Sequence, residues 1–148
     1  MDAVLAASRA LVAVAARSLA DLAEDVTLAQ YRVLVELASH GPLRAADLAA
    51  ALDVDRSTAT RMCERLVRKR LVDRRRASSD RRTVRLSLTA AGRECVHEVT
   101  RRRRAEIAKI VRRMPGERTQ VPAALRAFAD AAGELPAQDW AMGWDLAP

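Results

Sequence analysis

Apolar residues in the first part of the chain recur with the three-to-four-residue spacing of amphipathic helices. Residues 3–23 are rich in alanine, and their apolar stripe consists of Leu5, Leu11, Val12, Ala15, Leu19 and Leu22. Thr27 and Gln30 match a capping box, in which each side chain binds a backbone N–H of the first helical turn. They predict a second helix, which ends at Gly41-Pro42.

Two further helices follow in quick succession, a short one at about 45–52 and a longer one at about 56–69, with Asp55 as its N-cap. One face of the longer helix is apolar: Ala59, Met62, Cys63 and Leu66. The opposite face is basic and rich in hydroxyls: Ser57, Thr60, Arg61, Glu64, Arg65 and Arg68. Such a pair of helices predicts a helix-turn-helix, because Ser, Thr and Arg side chains reach base edges and phosphates in a major groove.

A basic hairpin is predicted next. Leu71–Arg74 is the first short strand, and residues 84–88 alternate apolar and polar side chains as a half-buried strand does. The polar loop between them carries Arg75, Arg76, Arg81 and Arg82. A two-stranded wing with a basic tip suits a narrow minor groove, where the negative potential is enhanced.

The last third of the chain predicts two more helices. Thr89 caps a helix over 90–113, and a final helix spans about 118–133, with a kink or a late start at Pro122. The fold class is therefore mainly α with a small β-wing: a winged helix-turn-helix core with additional N- and C-terminal helices.

Charge separates this chain from other classes of protein. The 148 residues carry a net charge of +7, and residues 56–85 alone carry +9, which is the footprint of a surface that binds a polyanion. Abundant alanine and few aromatic residues argue against an all-β fold. The pattern also lacks a signal peptide, a membrane span and a disulfide scaffold, so we expect a cytoplasmic protein.

Enzymatic and metal sites are not expected. Cys63 and Cys95 fall on apolar faces, where cysteine is usually an inert hydrophobe, and His40 and His97 have no neighbouring ligand cluster in the sequence. No set of nucleophile, base and orienting group is visible. We therefore predict no catalytic residue, no cofactor and no metal.

The motifs together resemble the MarR family of winged-helix transcriptional regulators. The segment DRRTVRLSLTAAG at residues 80–92 matches the family signature D-x-R…L-T-x-x-G. DRSTATR at residues 55–61, followed by LVRK at 66–69, resembles its recognition helix. Asp53 and Arg70 stand where the family usually has glycine, so the resemblance implies a positive φ at both positions.

This resemblance implies a homodimer that binds double-stranded DNA at a pseudo-palindromic operator. It predicts a DNA-binding lobe at residues 28–88, dimerisation helices at 3–24 and 90–133, and a tail at 134–148 within a single domain. The apolar stripes of the terminal helices independently favour association, and we expect Trp140 and Trp144 to pack at the dimer surface.

The predicted DNA-contacting residues lie on the fourth helix and on the wing: Arg56, Ser57, Thr58, Thr60, Arg61, Arg65, Arg68, Arg76, Arg81 and Arg82. The family pattern implies that Asp80 pairs with Arg82 and orients its guanidinium toward the minor groove. It further implies repression that is relieved by a small aromatic ligand, with Tyr31 as a candidate lining residue.

Two other functions remain open at this stage. A sequence-tolerant or architectural DNA-binding protein would use the same basic surface without an operator. A winged-helix module for protein–protein interaction is the other alternative, but it would not need to keep a basic wing.

Replacing Arg82 by Ala is predicted to weaken binding to the operator by about 1–3 kcal/mol, because a groove-inserted guanidinium is lost. Fluorescence anisotropy with labelled duplex measures the change. An unchanged affinity would remove Arg82 from the set of contact residues.

Overall fold

The computed structural model describes residues 1–20, 26–76, 84–115 and 121–142. Within these ranges lie six α-helices and a two-stranded sheet: α1 (Asp2–Ala20), α2 (Leu28–His40), α3 (Ala45–Ala51), α4 (Arg56–Arg68), β1 (Val72–Arg76), β2 (Val84–Leu88), α5 (Ala90–Arg113) and α6 (Val121–Ala131). A short 3-10 helix at Ala137–Asp139 follows α6. The mainly helical fold class with a small wing is confirmed.

Side-chain caps fix where three of the helices begin. Thr27, Asp55 and Thr89 each accept a hydrogen bond from the backbone N–H three residues further on, which satisfies a donor that the helix leaves unpaired. The capping box of Thr27 and Gln30 is present, as the sequence predicted. Gly41, with a φ of 77°, ends α2.

The first wing strand differs from its prediction, since it spans Val72–Arg76 and not Leu71–Arg74. Its antiparallel register runs from the pair Val72 and Leu88 to the pair Arg76 and Val84. Arg75 and Arg76, which were expected in the loop, therefore belong to the strand. The physical reason is that pairing uses backbone groups, so the ladder continues beyond the point where the side-chain pattern stops.

The wing is also joined to the helical core. Leu43, between α2 and α3, forms an antiparallel bridge with Leu86 of β2, through N–O distances of 3.1 and 2.7 Å. Beneath this bridge the core gathers around α2 and contains Val33, Leu34, Leu37, Ala38, Leu48, Cys63, Leu66, Leu86, Val96 and Val99. The helix-turn-helix and the wing consequently share one core.

Two turns of this lobe adopt a positive φ at residues other than glycine. Asp53 has a φ of 51° and Arg70 a φ of 58°, as the resemblance implied. Hydrogen bonds surround the second turn, because Leu71 N donates to Leu66 O and Thr89 Oγ1 donates to Arg70 O. These bonds offset the strain of the left-handed conformation.

The terminal helices leave much apolar surface uncovered. The exposed large apolar residues of α1 and α6 are Val4, Leu5, Leu11, Val12, Leu125 and Phe128, and α6 contains no buried residue. Pro122 is the second described residue of α6, and the predicted start of this helix at about residue 118 lies outside the described residues. Among the described residues, α1 is the one helix long and apolar enough to cross a membrane. Core helices of soluble proteins and signal sequences near an N-terminus meet the same criterion, so this is weak evidence for a membrane span.

Gly92→Ala is predicted to destabilise the fold by about 1–3 kcal/mol, as overpacking of a closed site does. A Cβ at this position would collide with the backbone carbonyl of Leu71 and press on Leu88. Urea unfolding measures the loss. The control Ala91→Ser changes an exposed neighbour and should stay within about 0.5 kcal/mol; an equal effect of both variants would contradict the tight contact at Gly92.

Asp55→Ala is predicted to lower the thermal midpoint near neutral pH and to lose that effect in acid. Hydrogen bonds from Ser57 and Thr58 hold the pKa of the Asp55 carboxyl well below its usual range. A depressed pKa contributes stability that is complete above the unfolded value of about 3.9 and disappears as the pH falls through the folded value.

The gap in melting temperature between the wild type and Asp55→Ala should therefore narrow as the pH falls below about 4. Asp130→Ala, which removes an exposed carboxylate from α6, is the control and should show no such convergence. Thermal scans by circular dichroism provide the measurement, and a constant gap at every pH would contradict the capping role.

Candidate nucleic-acid interface

Helix α4 has one face that packs into the core and an opposite face that is exposed to solvent. Ala59, Cys63 and Leu66 are buried in the core. The exposed residues of the helix are Arg56, Ser57, Arg61, Glu64, Arg65 and Arg68, while Thr58 and Thr60 are half-buried. The structure thus brings the predicted contact residues of α4 to one side of a rigidly seated helix.

The hydroxyl groups of this face are already used as donors within the protein. Ser57 Oγ and Thr58 Oγ1 donate to the two carboxylate oxygens of Asp55, at 2.5 and 2.6 Å. Thr60 Oγ1 donates to the carbonyl of Arg56 at 2.8 Å. Because phosphate oxygens are acceptors, these hydroxyls would have to exchange partners before they could donate to a phosphate.

The arginines are consequently the principal donors of the surface. Arginine presents five N–H groups in a planar fork, which matches both a phosphate and the O6 and N7 atoms of guanine. Arg61 reaches back to Thr58 Oγ1 at 3.1 Å, which orients its guanidinium along the exposed face of α4. This arrangement favours guanidinium contacts over hydroxyl contacts.

An ion pair links α4 to the wing. Arg74 of β1 lies 3.7 Å from Glu64 of α4, and both side chains are about half exposed. Sequence reasoning missed this pair, because ten residues and a turn separate the two groups. It also missed Arg85 of β2, whose guanidinium donates to the carbonyl of Pro42 at 3.1 Å.

The basic end of the wing is described only in part. Arg76 ends β1 opposite Val84, which places its backbone at the distal end of the ladder. Asp80, Arg81 and Arg82 lie outside the described residues. Their proposed pairing and groove contact therefore stay predictions.

The four arginines in the middle of α5 are accommodated without breaking the helix. Arg101 and Arg102 both bind the Glu98 carboxylate, and these hydrogen bonds lower the pKa of Glu98 to about 2. Arg103 lies near the hydroxyl of Tyr31. The run is thus a charged segment of a continuous helix, with three of its members engaged by neighbouring side chains.

Tyr31, the candidate ligand residue, is 4% exposed. Its hydroxyl oxygen lies 3.5 Å from Thr100 Oγ1, and burial raises the pKa of the phenol. A separate cavity of about 290 Å³ lies between α1 and α5, and Tyr31 is not among its lining residues: Arg17, Ser18, Arg101, Arg102, Ala105 and Glu106.

The cysteines lie within or against the core. Cys63 is buried and Cys95 is half-buried, and burial raises the pKa of both thiols, which disfavours the reactive thiolate. In the part of the chain that the structure describes, no three His, Cys, Asp or Glu residues form a group that could hold a metal ion.

Comparison with known proteins agrees with the winged-helix fold of this chain. The sequence model of the MarR family matches residues 26–84, which include α2, α3, α4 and β1. Over 86 residues the chain is 38% identical to the HTH-type transcriptional repressor MdtR of Bacillus subtilis (strain 168), an alignment that covers 58% of this chain and 56% of that protein. The chain spans about half the length of the curated relatives it matches.

Solved structures are similar over nearly the whole chain. RV1404 from Mycobacterium tuberculosis is 47% identical, with a TM-score of 0.87, and the match covers 92% of this chain and 93% of that one. Wild-type MarR of E. coli, in its apo form, is 23% identical, with a TM-score of 0.69, over 91% of this chain and 96% of that one, which shows the fold alone. The chain belongs to the MarR family and has its winged-helix fold.

Proposed function

We propose that this protein is a sequence-specific DNA-binding repressor of transcription that acts as a homodimer in the cytoplasm. The observation that carries the proposal is the arginine-rich exposed face of α4, which is held by a buried apolar face and continued by the basic strands of the wing. The name of the relative MdtR supports repression as the outcome.

The proposed dimer is supported by the uncovered terminal helices. Leu5 and Val12 of α1 are 54% and 53% exposed, and Leu125 and Phe128 of α6 are 53% and 61% exposed. Apolar surface of this kind, exposed on two helices, is typical of an association site. A two-fold symmetric pair that buries α1 and α6 would cover it, and it would present two copies of α4 to one DNA duplex.

In the proposed complex each α4 enters a major groove, and the wings reach the flanking minor grooves. Two-fold dimers of this type read half-sites about 34 Å apart, which is one turn of the duplex. The phosphates fix position, and guanidinium contacts to base edges supply sequence preference. The lobe of residues 28–88 would thus read DNA, and the helices before and after it would hold the pair together.

Relief of repression by a small aromatic acid is the second part of the proposal. The cavity between α1 and α5 has arginines at positions 17, 101 and 102 along its lining, and Arg101 and Arg102 would exchange the Glu98 carboxylate for the carboxylate or phenolate of a ligand. A ligand there would contact a dimerisation helix and α5, which runs on from the wing. If the ligand binds more tightly to a dimer whose two lobes are too close or too far apart for DNA, it shifts the population away from the DNA-binding form.

In vitro selection of DNA with the purified protein tests the proposed function. We expect a pseudo-palindromic consensus and a discrete protected footprint. Uniform protection without a consensus would favour sequence-tolerant DNA coating, and no binding at all would favour a protein-interaction module. Repeating the titration with benzoate-type aromatic acids tests ligand relief, for which unchanged affinity is the contrary result.

Arg65→Ala is predicted to weaken binding to the selected duplex by about 1–3 kcal/mol, because a guanidinium contact to a base is lost. The sequence preference at the base pair that Arg65 contacts should relax as well. Arg112→Ala removes an equal charge from the last turn of α5 and is the matched control. Anisotropy titrations at several salt concentrations separate base contacts from phosphate contacts, because a lost phosphate contact lowers the salt slope by about 1. Equal behaviour of both variants would argue against α4 as the reading element.

A further inference from the structure

The chain after α6 folds back onto α2 of the same protein. We call residues 134–142 the C-terminal strap. It begins after Gly133, whose φ of 75° turns the chain away from the axis of α6. At its start, Glu134 Oε1 lies 2.6 Å from Arg32 Nη2 in the first half of α2. The strap therefore contacts the helix at the centre of the DNA-binding lobe.

The far end of the strap caps that helix. Ala141 N donates to Ser39 O, and Met142 N donates to Ala38 O, both at 2.9 Å. The last carbonyls of a helix have no partner within it, so these two bonds satisfy groups that would otherwise need water. The strap thus completes the C-terminus of α2 with backbone bonds that do not depend on side-chain identity.

Side chains anchor the strap as well. Trp140 and Met142 are half-buried and pack against the core cluster. The indole Nε1 of Trp140 donates to Leu135 O at 3.0 Å, which closes the strap on itself. Trp140 was expected at a dimer surface, and the structure shows it half-buried against its own chain's core; Trp144 lies outside the described residues.

The ion pair at the start of the strap continues into the lobe. Arg32 also contacts Glu36 at 3.2 Å, and Glu36 lies 3.4 Å from His40. The side chain of Glu36 is only 9% exposed, so its carboxylate depends on these neighbours for compensation. Glu134 consequently binds an arginine that is itself held in place by a nearly buried carboxylate.

We propose that the C-terminal strap positions the DNA-binding lobe relative to the terminal helices, and that Glu134 and Trp140 thereby determine which half-site spacing the dimer accepts. The proposal rests on the proposed function, since it needs two lobes on one duplex. Helix α6 contributes no buried residue of its own. The strap therefore attaches the segment that follows α5 to the DNA-binding lobe at a second place, in addition to the contacts that α5 itself makes with the lobe.

The physical argument is one of preorganisation. A lobe held at two points samples few separations from its copy, so a duplex with the matching spacing binds without an ordering cost. A lobe without the strap keeps only its attachments to α5 and α1 and samples more separations. Its affinity for the matching duplex falls with the smaller competent fraction, and its affinity for other spacings rises. The signature of positioning is thus a change in spacing preference and not a uniform loss of affinity.

A series of duplexes tests this, in which the two selected half-sites are separated by the preferred spacing or by one or two base pairs more or fewer. Full-length wild type, Trp140→Ala, Glu134→Gln and Gln138→Ala are titrated by anisotropy. Gln138 is an exposed residue of the strap and provides the matched control. Circular dichroism verifies that each variant is folded, and Glu134→Gln tests the proposal even where Trp140→Ala loses stability.

We expect the ratio of Kd values between displaced and preferred spacing to fall by about threefold or more in Trp140→Ala, and less strongly in Glu134→Gln. Gln138→Ala should keep the wild-type ratio. An unchanged ratio in both strap variants, including a uniform loss of affinity at every spacing, would overturn the positioning role. A wild type that binds no duplex in the series would instead refute the proposed function.

Discussion

The placement of the basic surface depends on the burial of one face of α4. Ala59, Cys63 and Leu66 are at most 1% exposed, and they hold the helix against the core that α2 and α5 also line. Because these three positions point inward, helical geometry places the arginines that lie two residues away from them on the outer face. The orientation of the basic surface is thus a consequence of apolar packing, and the charges themselves contribute little to holding the helix.

The same core connects the basic face of α4 to the rest of the molecule. Thr89 caps α5 through Gly92 and also donates to the carbonyl of Arg70, so the base of the wing and the start of the long helix share one residue. Leu43 joins the wing to the turn after α2. At the same end of α2, the C-terminal strap binds the last carbonyls of the helix. The terminal helices are thus joined to the core that holds α4 both along the chain, through α5, and through the contacts of the strap.

Local signals were enough to predict most of this arrangement. The capping residues Thr27, Asp55 and Thr89 and the helical spacing of Ala59, Cys63 and Leu66 are encoded within a few residues, so element type and inward face could be predicted from sequence. The predicted end of β1 was wrong, because the backbone pairing of the two strands extends past the residues that show the side-chain pattern. The Glu64–Arg74 pair and the docking of Trp140 on its own core could not be predicted, since both need the tertiary fold to bring distant segments together. The role of the hydroxyls also depends on geometry, because only the structure shows that Asp55 accepts from both Ser57 and Thr58.

The central claim is that two copies of this chain each bring one α4 to the same duplex. Native mass spectrometry of the protein with a short duplex that contains one selected operator tests it most directly. The account predicts a single complex of two chains and one duplex, which persists when the flanking DNA is lengthened. A complex with one chain per duplex, or a number of bound chains that grows with DNA length, would contradict it.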